Sequence, residues 1–200
     1  MFEIMTVCTG NICRSPLAAA LLSTRLAGLD VAVTSAGTQG LSAAPMTHEA
    51  RRIAVELGAS VDEVTAHRSR FLLESHLASP DLVIALSREH RRRIVELAPA
   101  RMRRTFTARE FARLAATLPD DAIRDAAAEG AADPTARMRA AVAAVSRRRG
   151  TVPTPRDAGE DDVIDPYRRP WGVYQRSAAQ LMPAVDEIVR VLTIAAQARA

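Results

Sequence analysis

One stretch near the N-terminus concentrates the side chains that could do chemistry: Val7-Cys8-Thr9-Gly10-Asn11-Ile12-Cys13-Arg14-Ser15-Pro16. An apolar run delivers Cys8 to a turn, and the turn ends where a helix begins. Backbone N–H groups converge at a helix N-terminus, and the helix dipole adds positive potential there. Gly10 and Asn11 tolerate the left-handed conformations that aim consecutive N–H groups inward. Arg14 offers a planar fork to two oxygens of one anion. The loop Thr9, Gly10, Asn11, Ile12, Cys13, Arg14, Ser15 is therefore predicted to wrap an oxyanion, with Cys8 beneath it. The same field favours Cys8 as a thiolate. A thiolate under a tetrahedral phosphate implies in-line attack on phosphorus and a phosphocysteine intermediate, which splits hydrolysis into two steps. Such a reaction also needs an acid for the leaving oxygen, and the same group can later act as base toward water.

The flanking segments position this loop. Phe2 to Val7 reads as a buried strand. Ser15-Pro16 opens a helix, with Ser as N-cap and Pro in the first turn, and Gly28 follows its end. A second strand is expected at Val31 to Ser35 and a helix from Pro45 to Leu57, stopped by Gly58. A short helix is expected at Leu72 to Leu77, a strand at Asp81 to Leu86 and a helix at Arg88 to Leu97. A fourth strand at Arg104 to Thr107 and a helix at Arg109 to Ala116 complete the alternation. Strands alternating with helices predict an α/β fold, a four-stranded parallel sheet with helices on both faces. Asp133-Pro134 starts a further helix that ends at Arg147-Arg148-Arg149-Gly150. Gly150 to Asp162 reads as a mobile loop. A last helix, Val173 to Ala198, presents Leu181, Val185, Ile188, Leu192 and Ala195 on one face, with a kink expected at Pro183.

The chain has 200 residues, 48% of them hydrophobic and 25% charged, which suits one domain with a sizeable core and excludes wholesale disorder. No apolar run reaches membrane-spanning length, and Met1-Phe2-Glu3-Ile4-Met5 carries no basic leader, so a cytoplasmic setting without membrane attachment is expected. The two cysteines, Cys8 and Cys13, lie too close together to staple a secreted fold. Every cationic side chain is Arg, and the net charge is +4. Arg clusters at 88–93, 101–104 and 147–149 read as solvated helix faces interleaved with Glu89, Glu96 and Glu110. With aromatics at only 4%, base stacking has little to work with, so nucleic-acid binding is not expected.

The string Val7 to Pro16 resembles the loop of the low-molecular-weight protein tyrosine phosphatases. Further pieces follow in the family's order. Ser35-Ala36-Gly37-Thr38 resembles the segment after the second strand, and Ala66-His67-Arg68-Ser69-Arg70 the His-containing stretch before the third. Asp165-Pro166-Tyr167 resembles the general-acid loop before the C-terminal helix. The resemblance covers most of the chain except about 115–162, which would be an atypical helical and loop insertion within a single domain spanning 1–200.

The resemblance implies a phosphatase acting on phosphorylated protein, phosphotyrosine first, with inorganic phosphate as product and neither metal nor organic cofactor. Cys8 would be the nucleophile, Arg14 the phosphate clamp and Asp165 the general acid, then base. Asp157, Asp161 and Asp162 are the fallback acids. Ser15 would hydrogen-bond the Cys8 sulfur. Asn11, Ser35 and His67 would hold the loop open. Cys13 would pair reversibly with oxidised Cys8. Ile12 and Tyr167 would contact the substrate.

Two departures stand out. Thr38-Gln39-Gly40-Leu41 lacks the aromatic that many relatives carry there, and Arg168 follows Tyr167 where many have a second aromatic. Trp171 and Tyr174 are nearby candidates for the missing ring. Three rival functions share the loop. An arsenate reductase would need an external thiol here, since no further cysteine can relay a disulfide. Relatives that are protein arginine phosphatases carry Thr at the position of Ile12, and the bulkier apolar Ile12 favours an aryl phosphate. A phosphate-binding regulatory module would bind the anion without turnover.

Overall fold

The computed structural model describes residues 1–129 and 133–198. Four parallel strands form the sheet: β1 (Phe2–Cys8), β2 (Val31–Gly37), β3 (Leu82–Ala85) and β4 (Thr105–Thr107), in the order β2-β1-β3-β4. The predicted α/β class and parallel sheet are therefore found. Side chains alternate across the pleat, so each strand feeds two cores. Ile4, Leu82, Ile84 and Phe106 join the larger core. Met5, Val7, Val83 and Ala85 join a smaller one with Leu72, Leu77 and Ile94.

Helix α1 (Arg14–Arg25) leads away from the loop that follows β1. Helices α2 (His48–Glu56) and α3 (Val61–Ala66) come next. Thr47 sets the start of α2 by accepting from the Ala50 N–H, three residues later than expected from Pro45. Helix α3 was not foreseen, although Ser60 caps it by accepting from the Glu63 N–H. The short helix expected at Leu72 to Leu77 is a 3₁₀ turn over Glu74–Leu77. Helix α4 (Arg88–Leu97) has the predicted bounds, and α5 (Ala108–Ala115) shifts by one residue at each end.

The helices within 115–162 pack into the core. The segment contains α6 (Asp120–Ala128) and α7 (Pro134–Arg147), the latter capped by Asp133 as predicted. Ile123, Ala127, Met138, Ala141, Val142 and Val145 are buried in the larger core. Residues 150–162 are irregular apart from a 3₁₀ turn (Ala158–Asp161), but they are tethered. Arg113 pairs with Asp161 at 3.1 Å and Arg88 with Asp162 at 3.1 Å. The last helix, α8 (Trp171–Gln197), begins two residues early and runs continuously through Pro183. Its buried face includes Leu181, Val185, Ile188, Leu192 and Ala195, as the spacing predicted.

Candidate active site

Cys8 ends β1, and residues 9–13 turn directly into α1. Ser15 departs from its predicted capping role. The cap position belongs to Cys13, which makes no side-chain cap bond, and the Ser15 hydroxyl instead lies 3.0 Å from the Cys8 sulfur. Asn11 Nδ2 donates to Ser15 Oγ at 3.0 Å and to Ser35 Oγ at 2.8 Å, which uses both hydrogens of its amide nitrogen. The single Ser15 hydroxyl hydrogen has two acceptors in reach, the Cys8 sulfur at 3.0 Å and the Ala36 carbonyl at 3.4 Å, and toward a thiolate it donates to the nearer sulfur. Such a donor stabilises negative charge on the sulfur.

Asn11 is held at its other atoms too. Its Oδ1 accepts from the Arg70 N–H at 3.0 Å, and its carbonyl accepts from His67 Nε2 at 2.8 Å. A carbonyl only accepts, so His67 carries its proton on Nε2. Burial and the neighbouring Arg68 and Arg70 lower the His67 pKa. Asn11 adopts φ 55°, as its left-handed tolerance allows, whereas Gly10 does not use the left-handed region that was expected of it. Gly37 is demanded by close approach: a Cβ there would sit 2.5 Å from the Thr9 carbonyl oxygen and 3.0 Å from the Asn11 nitrogen. The backbone of Thr38 and Gln39 donates to the carbonyls of Cys8 and Thr9, both at 2.9 Å, so this segment braces the loop.

Arg14 is 6% exposed and Asp165 52% exposed, and Arg14 Nη2 reaches Asp165 Oδ2 at 2.9 Å. Arg14 Nη1 donates to the Val163 carbonyl at 3.1 Å, and its buried Nε has no hydrogen-bond partner. Asp165 Oδ1 accepts from the Tyr167 N–H at 3.1 Å, forming a local turn. The acid loop is anchored on both sides of Val163: its N–H donates to the Leu86 carbonyl at 3.0 Å, and the Ile164 N–H donates to Gln180 Oε1 at 2.8 Å. The fallback carboxylates lie elsewhere. Asp161 and Asp162 serve Arg113 and Arg88, and Asp157 caps the 3₁₀ turn at 158–161.

His90 is a component that the sequence did not flag. It is buried, with Nε2 2.8 Å from Thr9 Oγ1 and Nδ1 2.9 Å from Ser87 Oγ. Arg14 Nη2 lies 3.4 Å from the same Thr9 hydroxyl. Burial first, and then the Arg14 charge, push the His90 pKa down to about 4. His90 is thus a neutral prop behind Thr9 and Arg14. Ser87-Arg88-Glu89-His90 reads locally as an ordinary capped helix start, so only the packing of α4 on the loop reveals the contact.

A cavity of about 200 Å³ opens at this point, lined by Cys8, Gly10, Ile12, Arg14, Asp165 and Tyr167, with Thr9, Cys13, Gln39 and Leu41 completing the wall. Asn11, Ser15, Ser35 and His67 stand behind the lining. Leu41 takes part in the wall where many relatives have an aromatic. Neither Trp171 nor Tyr174 lines the cavity: Trp171 lies under the Arg52 guanidinium, 4.4 Å from ring centroid to carbon, and Tyr174 is buried. The Tyr174 hydroxyl is 3.9 Å from the Cys13 sulfur, and Thr47 Oγ1 is 3.6 Å away. Both cysteines are free thiols, and burial pushes Cys13 up to about 11. Among the described residues, no group of three or more His, Cys, Asp or Glu is placed to hold a metal ion.

Known proteins resemble this chain in sequence and in fold. A profile of the family described as low molecular weight phosphotyrosine protein phosphatase matches residues 3–125. The low molecular weight protein-tyrosine-phosphatase Etp of Escherichia coli (strain K12) is 40% identical over 97 residues, 48% of this chain and 62% of its own length. The chain therefore matches less than two thirds of that relative. A protein-arginine-phosphatase of Geobacillus stearothermophilus is 37% identical over 111 residues, 55% of this chain and 71% of its own length. Among solved structures, a low molecular weight protein tyrosine phosphatase from T. tengcongensis superposes with a TM-score of 0.65 at 26% identity, covering 94% of this chain and 98% of the other. The YwlE arginine phosphatase from Geobacillus stearothermophilus superposes with a TM-score of 0.65 at 27% identity, covering 96% and 94%.

Proposed function

The chain belongs to the low molecular weight phosphotyrosine protein phosphatase family, and from that premise we propose that it hydrolyses phosphomonoesters on proteins, phosphotyrosine first, through a phosphocysteine on Cys8. The observation that carries this reading is the placement of Cys8, Arg14 and Asp165 around one small cavity. The phosphoryl group sits in the loop of residues 9–15 with two of its oxygens on Arg14. The unpartnered Arg14 Nε supports this assignment, because a buried donor without an acceptor suits an anionic ligand. The Cys8 thiolate attacks phosphorus in line as Asp165 protonates the departing oxygen. Asp165 then takes a proton from water, which attacks the phosphocysteine and expels the thiolate. The Ser15 hydroxyl stabilises that thiolate before attack and on departure.

The apolar part of the wall, Ile12, Leu41 and the half-exposed Tyr167, favours an aromatic leaving group. The reducing conditions of a cytoplasm suit a thiolate nucleophile. The similarity to a protein-arginine-phosphatase makes phosphoarginine the reading to test against.

The test is hydrolysis of p-nitrophenyl phosphate, followed by matched phosphotyrosine and phosphoarginine peptides, with Cys8→Ser alongside. Turnover that requires Cys8 and prefers phosphotyrosine is expected. Preference for phosphoarginine would overturn the substrate assignment. Phosphate binding without any turnover would overturn the enzymatic one in favour of a binding module or of arsenate reduction with an external thiol.

A further inference from the structure

A second, larger cavity of about 700 Å³ lies beyond the edge strand β4, between the 3₁₀ turn Pro99–Arg104 and α7. It shares no lining residue with the cavity at Cys8. Its volume is within the range of about 300–1,000 Å³ usual for small-molecule sites. Six arginines line it: Arg91, Arg103, Arg104, Arg139, Arg147 and Arg149. All but Arg139 belong to the clusters at 88–93, 101–104 and 147–149, which as sequence read as solvated helix faces.

Two carboxylates pair directly with these arginines, while Asp133 and Glu3 also act on Arg139 and Asp161 on Arg91. Buried Asp81 pairs with Arg139 at 2.6 Å and Arg104 at 3.6 Å. Glu110 pairs with Arg149 at 2.7 Å and Arg91 at 3.7 Å. Arg103 and Arg147 are exposed and have no hydrogen-bond or ion-pair partner among the described residues. The lining itself, six arginines and Asp81, is strongly positive. Gathering like charges in one concavity raises the local potential and favours an anion there.

The site is also braced. Arg149 donates to Glu110 Oε1 at 2.7 Å and to the Thr105 carbonyl at 2.6 Å, and its guanidinium stacks 4.0 Å above the Phe106 ring. Arg139 and Arg147 lie two turns apart on α7, so they share one face of that helix. Guanidinium forks match phosphate oxygens two at a time. Met102, Val142 and Ala143 add an apolar wall.

We propose that this cavity binds a small molecule carrying an oligophosphate group, with its phosphates on Arg103, Arg147 and Arg139 and any non-polar part on Met102 and Val142. The proposal is independent of the chemistry at Cys8.

The probes are tripolyphosphate and ATP, titrated into the full chain by calorimetry with orthovanadate present to occupy the loop at Cys8. One saturable site is expected, weakened by salt. The double variant R103A/R147A removes only exposed, unpartnered side chains, and an unchanged melting midpoint without ligand confirms that it folds. It should bind about tenfold more weakly or worse, for the loss of two charge-assisted contacts. Tighter binding of ATP than of tripolyphosphate assigns the apolar wall to the attached group, whereas equal binding assigns the site to the phosphates alone. Unchanged affinity in the double variant would overturn the proposal, as would displacement of tripolyphosphate by vanadate. Binding of a single-stranded oligonucleotide through the same two arginines, without binding of tripolyphosphate, would replace it with a nucleic-acid surface.

Discussion

Arg14 and Asp165 stand far apart in the chain, yet Nη2 of one lies 2.9 Å from Oδ2 of the other, and both line the cavity at Cys8. The pair joins a buried cation to an exposed carboxylate. In the absence of phosphate the guanidinium is partly neutralised by the very group proposed to donate the proton. In the proposed mechanism a bound phosphate would compete with Asp165 for Arg14 and so release the acid toward the leaving oxygen.

Replacing Asp165 by Ala should therefore act in opposite directions on binding and on turnover. Inhibition by inorganic phosphate should tighten, because a negative charge beside Arg14 is lost. Turnover should fall by about 10²–10⁴-fold on alkyl or weakly acidic aryl phosphates, and much less on p-nitrophenyl phosphate, whose leaving group needs little protonation. A series of aryl phosphates checks this. An equal loss across the series would mean that Asp165 only orders its loop.

Gly37→Ala tests the brace behind the loop. The added Cβ would meet the Thr9 carbonyl at 2.5 Å, and backbone cannot swing aside as a flexible side chain can. A shift of the loop of about 1 Å is expected to cost on the order of 10²-fold in kcat/KM. The stability cost should be roughly 1–3 kcal/mol, as for other overpacked sites. Kinetics and denaturant melts on the same sample separate the two effects. Full activity would show that the loop tolerates displacement.

Stability should fall with acidification in a window set by His90. Its folded pKa is pushed down to about 4 by burial and by Arg14, with Asp165 and Asp162 opposing. In the unfolded chain a His titrates near 6.5. Between those values the unfolded state binds more protons, so stability rises with pH there. His90 thus leaves folding undisturbed above pH of about 6.5, and stability is lost progressively as the pH falls toward about 4. His67, shifted in the same direction, adds to the loss. Urea melts of wild type and His90→Asn across this range check the sign. The variant should show the shallower slope, and parallel curves would remove His90 as the cause.

Cys13 should decide whether oxidation is reversible. Cys13 is pushed up to about 11 by burial, so at neutral pH it is a thiol and not the sulfur that a peroxide meets first. Hydrogen peroxide would oxidise the sulfur of the proposed nucleophile, Cys8, to a sulfenic acid and itself be reduced to water. Cys13 sulfur then bonds to Cys8 sulfur, and the hydroxyl leaves as water with the Cys13 proton. Without Cys13, a second peroxide would carry the Cys8 sulfenic acid to a sulfinic acid that thiols do not reduce, so after excess peroxide dithiothreitol should restore activity to wild type and fail to restore it to Cys13→Ser. Equal recovery of both would leave Cys13 as a packing residue for Thr47 and Tyr174.

How much of this was legible in the sequence depends on how local each signal is. The strand–turn–helix around Cys8 could be read because its signals lie within ten residues: an apolar run, a turn and a helix-opening Ser-Pro. The parallel sheet followed from alternating apolar runs and capped helices, each of them a short-range pattern. Asp133 could be recognised as a cap for the same reason, and Leu181 to Ala195 as a buried face. Ser15 shows where short-range reasoning stops. Its type fits a helix cap, but its hydroxyl is drawn instead to the Cys8 sulfur, because the loop folds back over β1.

Tertiary structure alone decided the rest. His90 reaches Thr9 only because α4 packs beside the loop. Leu41 becomes a wall of the cavity only because Gly37 lets its segment lie flat against Thr9. Arginines from three separate stretches, each ordinary as a helix surface, meet in one cavity because α7 lies alongside the turn before β4. Sequence determines what each short segment prefers to do by itself. Which segments then share a cavity is set by packing and by charges brought within a Debye length, about 10 Å, and these act between residues far apart in the chain.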